Sequence, residues 1–305
     1  MKKILIIGRG SIGLKHKYIL QKINKNFDIY SWSSRKFNNK KKTIEHIKSL
    51  DPDYVIIASP SSKHFKHFNI LEKSLFNKKI LIEKPLFNKD FRIKKKLNNK
   101  YFVGYNLRFD PVLNFIKKYI LRKKIFHINI SCSSYLPDWR KKINYNKSVS
   151  AQKKLGGGVL LELSHEIDYL LWMVGSINII NVVSTRISNL KINTDDIFLL
   201  HARSKKVLIN LTLNFFSRYK KREITVDGKG FSLWGDLRKK KLLIFTPNKS
   251  KLIKFPYMNI NHTIKQQHIA ILKNKKEKIK LLCSLSQARK VLNLIDKSRK
   301  FDEKN

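Results

Sequence analysis

A chain of 305 residues is long enough for two domains, and its 42% apolar and 11% aromatic content excludes an intrinsically disordered chain. Two cysteines, Cys132 and Cys283, exclude a disulfide framework and a cysteine-rich zinc site. Lys and Arg total 66 against 21 Asp and Glu, a formal charge of +45, which raises the question of an anionic partner. The first apolar run, Ile4 to Ile7, stops at Gly8 and is too short for a signal-peptide core. No later run approaches the roughly 18 residues of a membrane span. A cytoplasmic location away from membranes is therefore expected.

Along the first hundred residues, short apolar runs alternate with helical patterns. Lys3–Ile7, Phe27–Ser31, Tyr54–Ile57, Ile80–Ile82 and Tyr101–Val103 are predicted as strands. Leu14–Ile23, Thr43–Leu50, Lys63–Phe76 and Lys89–Leu97 are predicted as helices. Runs such as Val55-Ile56-Ile57 are continuously apolar, as strands covered on both faces must be. This is the βαβ rhythm of a doubly wound parallel sheet, assigned to residues 1–106.

Gly8-Arg9-Gly10-Ser11-Ile12-Gly13 sits directly after the first strand and opens the first helix. That is the context in which a Gly-x-Gly-x-x-Gly turn binds a dinucleotide. Gly8 permits the turn, Gly10 the approach of the pyrophosphate and Gly13 the close helix–strand packing, with the helix N-terminus facing the anion. At the end of the second strand no carboxylate awaits a ribose 2′-hydroxyl; Ser33, Ser34 and Arg35 suit a 2′-phosphate, so NADP is expected ahead of NAD. Glu83-Lys84-Pro85 ends the fourth strand, at the sheet edge where ligands bind. Pro85 restricts the backbone of Lys84. A lysine beside a positively charged nicotinamide suits proton exchange with a substrate hydroxyl.

After about Tyr105 the rhythm changes. A helix over Val112–Leu121 leads into a strand around Ile125–Tyr135, a polar aromatic loop over Leu136–Leu155, three glycines, and a helix from about Leu160 to Met173. Strands follow at Asn178–Ile187, Ile197–Ala202, Val207–Phe215, Glu223–Val226 and Leu242–Phe245, closely enough spaced to pair antiparallel. Helices near Ile260–Lys273 and Leu285–Lys297 close the chain, and the final residues 300–305 are expected to fray. Residues 107–305 are read as one α+β domain with a large, mainly antiparallel sheet. On a continuous helix Glu162, His165 and Asp168 are spaced to lie near one face. A metal site is the rival reading of that trio, but no further ligand cluster accompanies it, and no metal is expected. Asp138, Arg140 and Tyr145 suit sugar hydroxyls or a phosphate, and Trp139 can stack on a ring; an ordered surface loop is the plain alternative.

These motifs resemble, in order, the glucose–fructose oxidoreductase / inositol dehydrogenase (Gfo/Idh/MocA) family: the glycine turn, Ala58-Ser59-Pro60 with His64, Glu83-Lys84-Pro85, Gly104-Tyr105-Asn106-Leu107-Arg108-Phe109 and Gly156 to Asp168. The resemblance covers residues 2 to about 175. It implies a Lys84–His165 acid/base arrangement, a cofactor site including Ser59, Pro60, His64 and Glu83, and substrate contacts at Asn106, Arg108, Glu162 and Asp168. It also implies a homo-oligomer, dimer or tetramer, built through the C-terminal sheet. Tyr135–Arg140 and Leu163–Tyr169 resemble a subgroup associated with bacterial surface-glycan synthesis. One departure is that the common pattern places Asp four residues before the histidine, whereas Glu162 lies three before His165.

The expectation is a dinucleotide-dependent oxidoreductase acting on a hydroxyl or keto carbon of a nucleotide-activated or phosphorylated sugar. A catalytically inactive dinucleotide-binding regulator is the alternative. The lysines are scattered through 38–42, 94–96, 239–241 and 273–278 and accompany Asn and Ile, residues that share A/T-rich codons. Compositional drift therefore accounts for the charge better than a nucleic-acid partner, although the positive field still favours anionic small molecules.

Overall fold

The computed structural model describes residues 1–33, 39–93, 96–139, 144–274 and 276–302. The chain divides into two compact units, Met1–Asn106 with Asn259–Leu292, and Leu107–Met258 with Asn293–Asn305. In chain order the strands are β1 (Lys3–Ile7), β2 (Asp28–Trp32), β3 (Tyr54–Ile57), β4 (Lys79–Ile82), β5 (Lys100–Val103), β6 (Ile125–Ser133), β7 (Asn178–Thr185), β8 (Ile197–Ser204), β9 (Val207–Asn214), β10 (Lys221–Gly228), β11 (Phe231–Asp236), β12 (Lys241–Thr246), β13 (Lys249–Lys254) and β14 (Cys283–Ser284).

The first unit holds a six-stranded sheet in the order β14-β5-β4-β3-β1-β2, parallel except for β14. Ile4 to Ile7, Val55 to Ile57 and Ile80 to Ile82 are all fully buried. That is why these strands read as unbroken apolar runs: with both faces covered, no position remains for a polar residue. The helix Lys40–Leu50 starts at Asn39, whose side chain accepts from the Lys42 amide, and ends at Asp51 in the left-handed region.

Residues 259–292 belong to this unit, not to the second as the sequence suggested. The helix Ile260–Lys273 is tied to the sheet where Lys79 Nζ donates to Ile271 O (2.6 Å) and Gln267 Nε2 donates to Val103 O (3.2 Å). A second departure concerns 89–97, where no helix forms among the described residues. Phe91 instead stacks on Phe65 (4.0 Å between centroids) and meets Phe87 edge-on, and this aromatic cluster overrides a weak helical propensity.

The second unit holds an eight-stranded sheet in the order β13-β12-β11-β10-β6-β9-β8-β7. It is antiparallel throughout except where β6 and β9 run parallel. The chain between them carries two α-helices and the strands β7 and β8, the long crossover a parallel pair needs. Alternation sorts the faces, with Phe198, Leu200, Ala202, Ile209, Leu211 and Leu213 buried on one side. The helix Pro111–Ile120 packs Val112 and Ile116 over Gly235, where a Cβ would lie 2.9 and 3.0 Å from their side chains. β11 and β13 were not anticipated, because Gly235 and the alternating Lys of 249–254 disguise them. The last helix runs to Asp302, whose carboxylate accepts from the Ser184 amide (3.0 Å), so residues 300–302 are anchored rather than frayed.

Candidate active site

The strand order places β1, β3 and β4 side by side, so the chain leaves all three at one edge of the sheet. Backbone bonds carry this alignment past the strand ends: Gly8 N to Trp32 O (2.8 Å), Ala58 N to Ile7 O (2.8 Å), Glu83 N to Ile57 O (2.9 Å) and Gly104 N to Ile82 O (2.7 Å). The glycine turn, Ser59 and the Glu83-Lys84-Pro85 segment are thereby brought together at the carboxyl edge.

Gly8 has φ +128°, and a Cβ there would sit 2.3 Å from Ala58 O. At Gly13 a Cβ would lie 2.1 Å from Gly8 O. Both are required by the fold itself. Gly10 differs, since nothing lies within 4 Å of its virtual Cβ. It caps the helix Ser11–Ile23 with no side-chain hydrogen bond and no acidic residue in the first turn. The amides of Ser11, Ile12 and Gly13 therefore open an uncapped, 13-residue helix toward free space, which suits a pyrophosphate. Gly10→Ala is expected to leave stability unchanged while weakening dinucleotide binding, whereas Gly8→Ala unfolds the turn. Equal affinity in Gly10→Ala, by fluorescence titration, would reject the turn as the anion cradle.

Arg9 folds over the end of β2, with Nε and Nη2 donating to Ser31 O (3.1 and 3.0 Å). Ser33 is half-buried just beyond β2, while Ser34 and Arg35 lie outside the described residues. Ser59 Oγ hydrogen-bonds His67 Nδ1 (2.9 Å), and Pro60 is exposed beside it. His64, expected at the cofactor, is buried between the loops after β3 and β4. Its Nε2 lies 2.8 Å from Ser59 O and its Nδ1 3.0 Å from Pro85 O, and the neutral ring donates to one of these carbonyls. Burial pushes its pKa below the usual histidine range. Lys84 is half-buried, and the Lys84–Pro85 peptide is cis. Asn106 is 4% exposed at the end of this unit.

In the second unit the expected Glu162/His165/Asp168 stripe does not exist as one helix. Val159–Glu162 ends at Leu163, and a new helix begins at His165. Glu162 and His165 are half-buried. Arg108 and Asp168, both expected to meet substrate, are 2% exposed and hold each other bidentately, Nε to Oδ2 at 2.9 Å and Nη2 to Oδ1 at 2.7 Å. Two more ion pairs hold carboxylates that are fully buried: Arg222 with Glu166 (2.8 Å), and Lys240 with Asp110. Nothing local in the sequence marks such partners, which lie 56 and 130 positions apart.

The described residues of the aromatic loop are held by contacts with the rest of the unit. Trp139 Nε1 donates to Ser134 Oγ (2.8 Å) and its ring meets Phe215 edge-on at 5.2 Å, so its face is only partly available for a sugar. Asp138 lies 3.9 Å from Lys220 Nζ and remains 40% exposed. The Tyr145 hydroxyl accepts from the Lys191 amide (3.1 Å), and Arg140 lies outside the described residues. Burial pushes the Cys132 thiol up to about 12, which removes it as a nucleophile. No group of His, Cys, Asp and Glu fit to hold a metal occurs among the described residues, and no helix there is long and apolar enough to cross a membrane.

Residues 124–233 match the family model for the GFO/IDH/MocA C-terminal domain. No curated protein matches the sequence. Among solved structures, levoglucosan dehydrogenase in complex with NADH is similar at TM-score 0.81 and 16% identity, over 99% of this chain and 97% of that one. The WlbA dehydrogenase from Bordetella pertussis, in complex with NADH and UDP-GlcNAcA, follows at TM-score 0.73 and 14% identity, over 99% and 96%. UDP-N-acetylglucosamine 3-dehydrogenase GnnA from Acidithiobacillus ferrooxidans gives 0.69 and 14%, over 98% and 97%. At these identities the likeness establishes the fold: a parallel-sheet unit with a separate, mainly antiparallel sheet.

Proposed function

We propose that this chain, which carries the GFO/IDH/MocA C-terminal domain over residues 124–233 and matches the fold of sugar dehydrogenases along its length, is itself a nicotinamide-dinucleotide-dependent sugar oxidoreductase. The observation that carries the reading is the alignment of the glycine turn and Glu83-Lys84 at one edge of the parallel sheet. The amides after Gly10 would hold the pyrophosphate, and Ser33 with Ser34 and Arg35 would favour NADP over NAD. A nicotinamide held there would supply the two-electron acceptor for a carbinol hydride. Lys84 would take the sugar's hydroxyl proton and return it in the reverse direction, with His165 as the assisting group that the family resemblance implies. Glu162, Asp138 and Tyr145 are the remaining candidates for sugar contacts.

The substrate class that the chemistry favours is a nucleotide-activated or phosphorylated sugar. Two of the similar structures are named for UDP-sugars, and a net charge of +45 attracts phosphates. A role in surface-glycan synthesis in the cytoplasm rests on the resemblance of Tyr135–Arg140 and Leu163–Tyr169. Absorbance of reduced nicotinamide, with NAD or NADP and a panel of nucleotide sugars, tests the reading. Dinucleotide binding with no turnover on any sugar would favour the inactive-regulator alternative.

The outward face of the eight-stranded sheet is the proposed homo-oligomer interface. The strand register puts Val183, Leu208, Phe245 and Leu252 on this face, 37 to 47% exposed. Light scattering is expected to give a dimer or tetramer, and Leu208→Lys with Phe245→Lys to give a monomer; a monomeric wild type would reject the interface.

A further inference from the structure

A buried chain of side chains in the first unit starts at Glu83 and runs inward. Glu83 Oε1 lies 2.9 Å from His16 Nε2, His16 Nδ1 lies 2.9 Å from His268 Nε2, and His268 Nδ1 lies 3.0 Å from the Tyr54 hydroxyl. His16 and His268 are fully buried and Tyr54 is 1% exposed. The histidines come from the helices Ser11–Ile23 and Ile260–Lys273, and Tyr54 opens β3. Successive rings meet edge-on, at 78° and 79°.

The hydrogens have one arrangement in which every donor finds an acceptor. Tyr54 O–H donates to His268 Nδ1, His268 Nε2–H donates to His16 Nδ1, and His16 Nε2–H donates to the Glu83 carboxylate. Reversed, the chain leaves the Tyr54 hydroxyl hydrogen without a hydrogen-bond acceptor among the described residues, at a cost of roughly 1–3 kcal/mol. Burial holds Tyr54 well above and His268 well below their usual pKa ranges, so both groups are neutral. Because Tyr54 is buried, the chain ends inside the unit rather than in water, so it serves to orient Glu83 and not to conduct protons. Gly104 packs closely against the same carboxylate oxygen, since a Cβ there would lie 2.9 Å from Glu83 Oε1.

We propose that His16 and His268 are positioning residues that hold the Glu83 carboxylate in one orientation and so fix the segment carrying Lys84. The proposal rests on the reading of Lys84 as the acid/base group. A continuous, single-direction hydrogen-bond chain over four side chains and three separate elements is more than burial of two histidines requires.

The test has two arms. Two-bond nitrogen–proton NMR on the purified protein is expected to show His16 and His268 neutral, each carrying its hydrogen on Nε2. A hydrogen on Nδ1 of either would overturn the chain, whether or not the protein is an oxidoreductase. In steady-state kinetics, His16→Leu and His268→Leu are expected to lower kcat roughly 10- to 100-fold, with dinucleotide affinity kept. His16→Gln, which can both donate to Glu83 and accept from His268, should recover most of that loss. Unchanged kcat in the Leu variants of an active enzyme overturns the positioning role while leaving the oxidoreductase reading intact. Where a Leu variant fails to fold, the His16→Gln variant and the NMR arm decide.

Discussion

Lys84→Ala is expected to lower kcat by about 10²- to 10⁴-fold, the usual contribution of a positioned acid/base group, while dinucleotide affinity stays as in the wild type. The split follows from where the two tasks reside. The proposed pyrophosphate cradle consists of backbone amides after Gly10, whereas Lys84 sits three strands' connections later, behind the backbone bond of Glu83 N to Ile57 O. Removing the Lys84 side chain touches neither. Stopped-flow measurement of nicotinamide reduction, beside a fluorescence titration of the dinucleotide, checks both halves. Turnover equal to the wild type would reject Lys84 as the proton acceptor, and a matching loss of affinity would make it a binding residue instead.

The largest stability effect is expected at Arg108. Its guanidinium holds Asp168 through two bonds in a site where both side chains are 2% exposed. Arg108→Ala leaves a carboxylate buried without its counter-charge, and this costs about 3–5 kcal/mol. The double variant Arg108→Met with Asp168→Leu removes both charges and is expected to recover most of the loss, since an apolar replacement of a buried pair is often neutral. Urea unfolding followed by tryptophan fluorescence reads this unit selectively, because Trp139, Trp172 and Trp234 all lie within it and only Trp32 lies outside. Loss of less than about 1 kcal/mol in Arg108→Ala would mean the pair is weakly held, and would restore both residues as candidates for direct substrate contact.

These two expectations differ in how far the chain itself announced them. Lys84 was visible because it follows an apolar strand and precedes a proline, a purely local pattern. The same holds for the glycine turn and for β1, β3 and the helix Ile260–Lys273, whose ends were anticipated to the residue. Buried parallel strands and capped helices are dictated by neighbouring residues, so periodicity reports them directly. The continuous helix expected over 160–173 failed for a reason periodicity does not carry, the break at Leu163. The segment 89–97 was decided by Phe65, which lies in a different element.

The pairing of charges lay beyond local reading altogether. Arg108 was expected at a ligand for its place past the fifth strand and Asp168 for its place in the Glu162/His165/Asp168 motif, and neither position shows that the two pair with each other. His16 and His268 carried no signal at all: 252 positions separate them, and only the return of the chain to the first unit brings them together. Local sequence thus determined most of the strands, the glycine turn and the place of Lys84 after an apolar strand, whose geometry depends on residues a few positions apart. Tertiary structure decided which ionisable groups face a ligand and which face one another, because burial and charge compensation are properties of the space around a side chain.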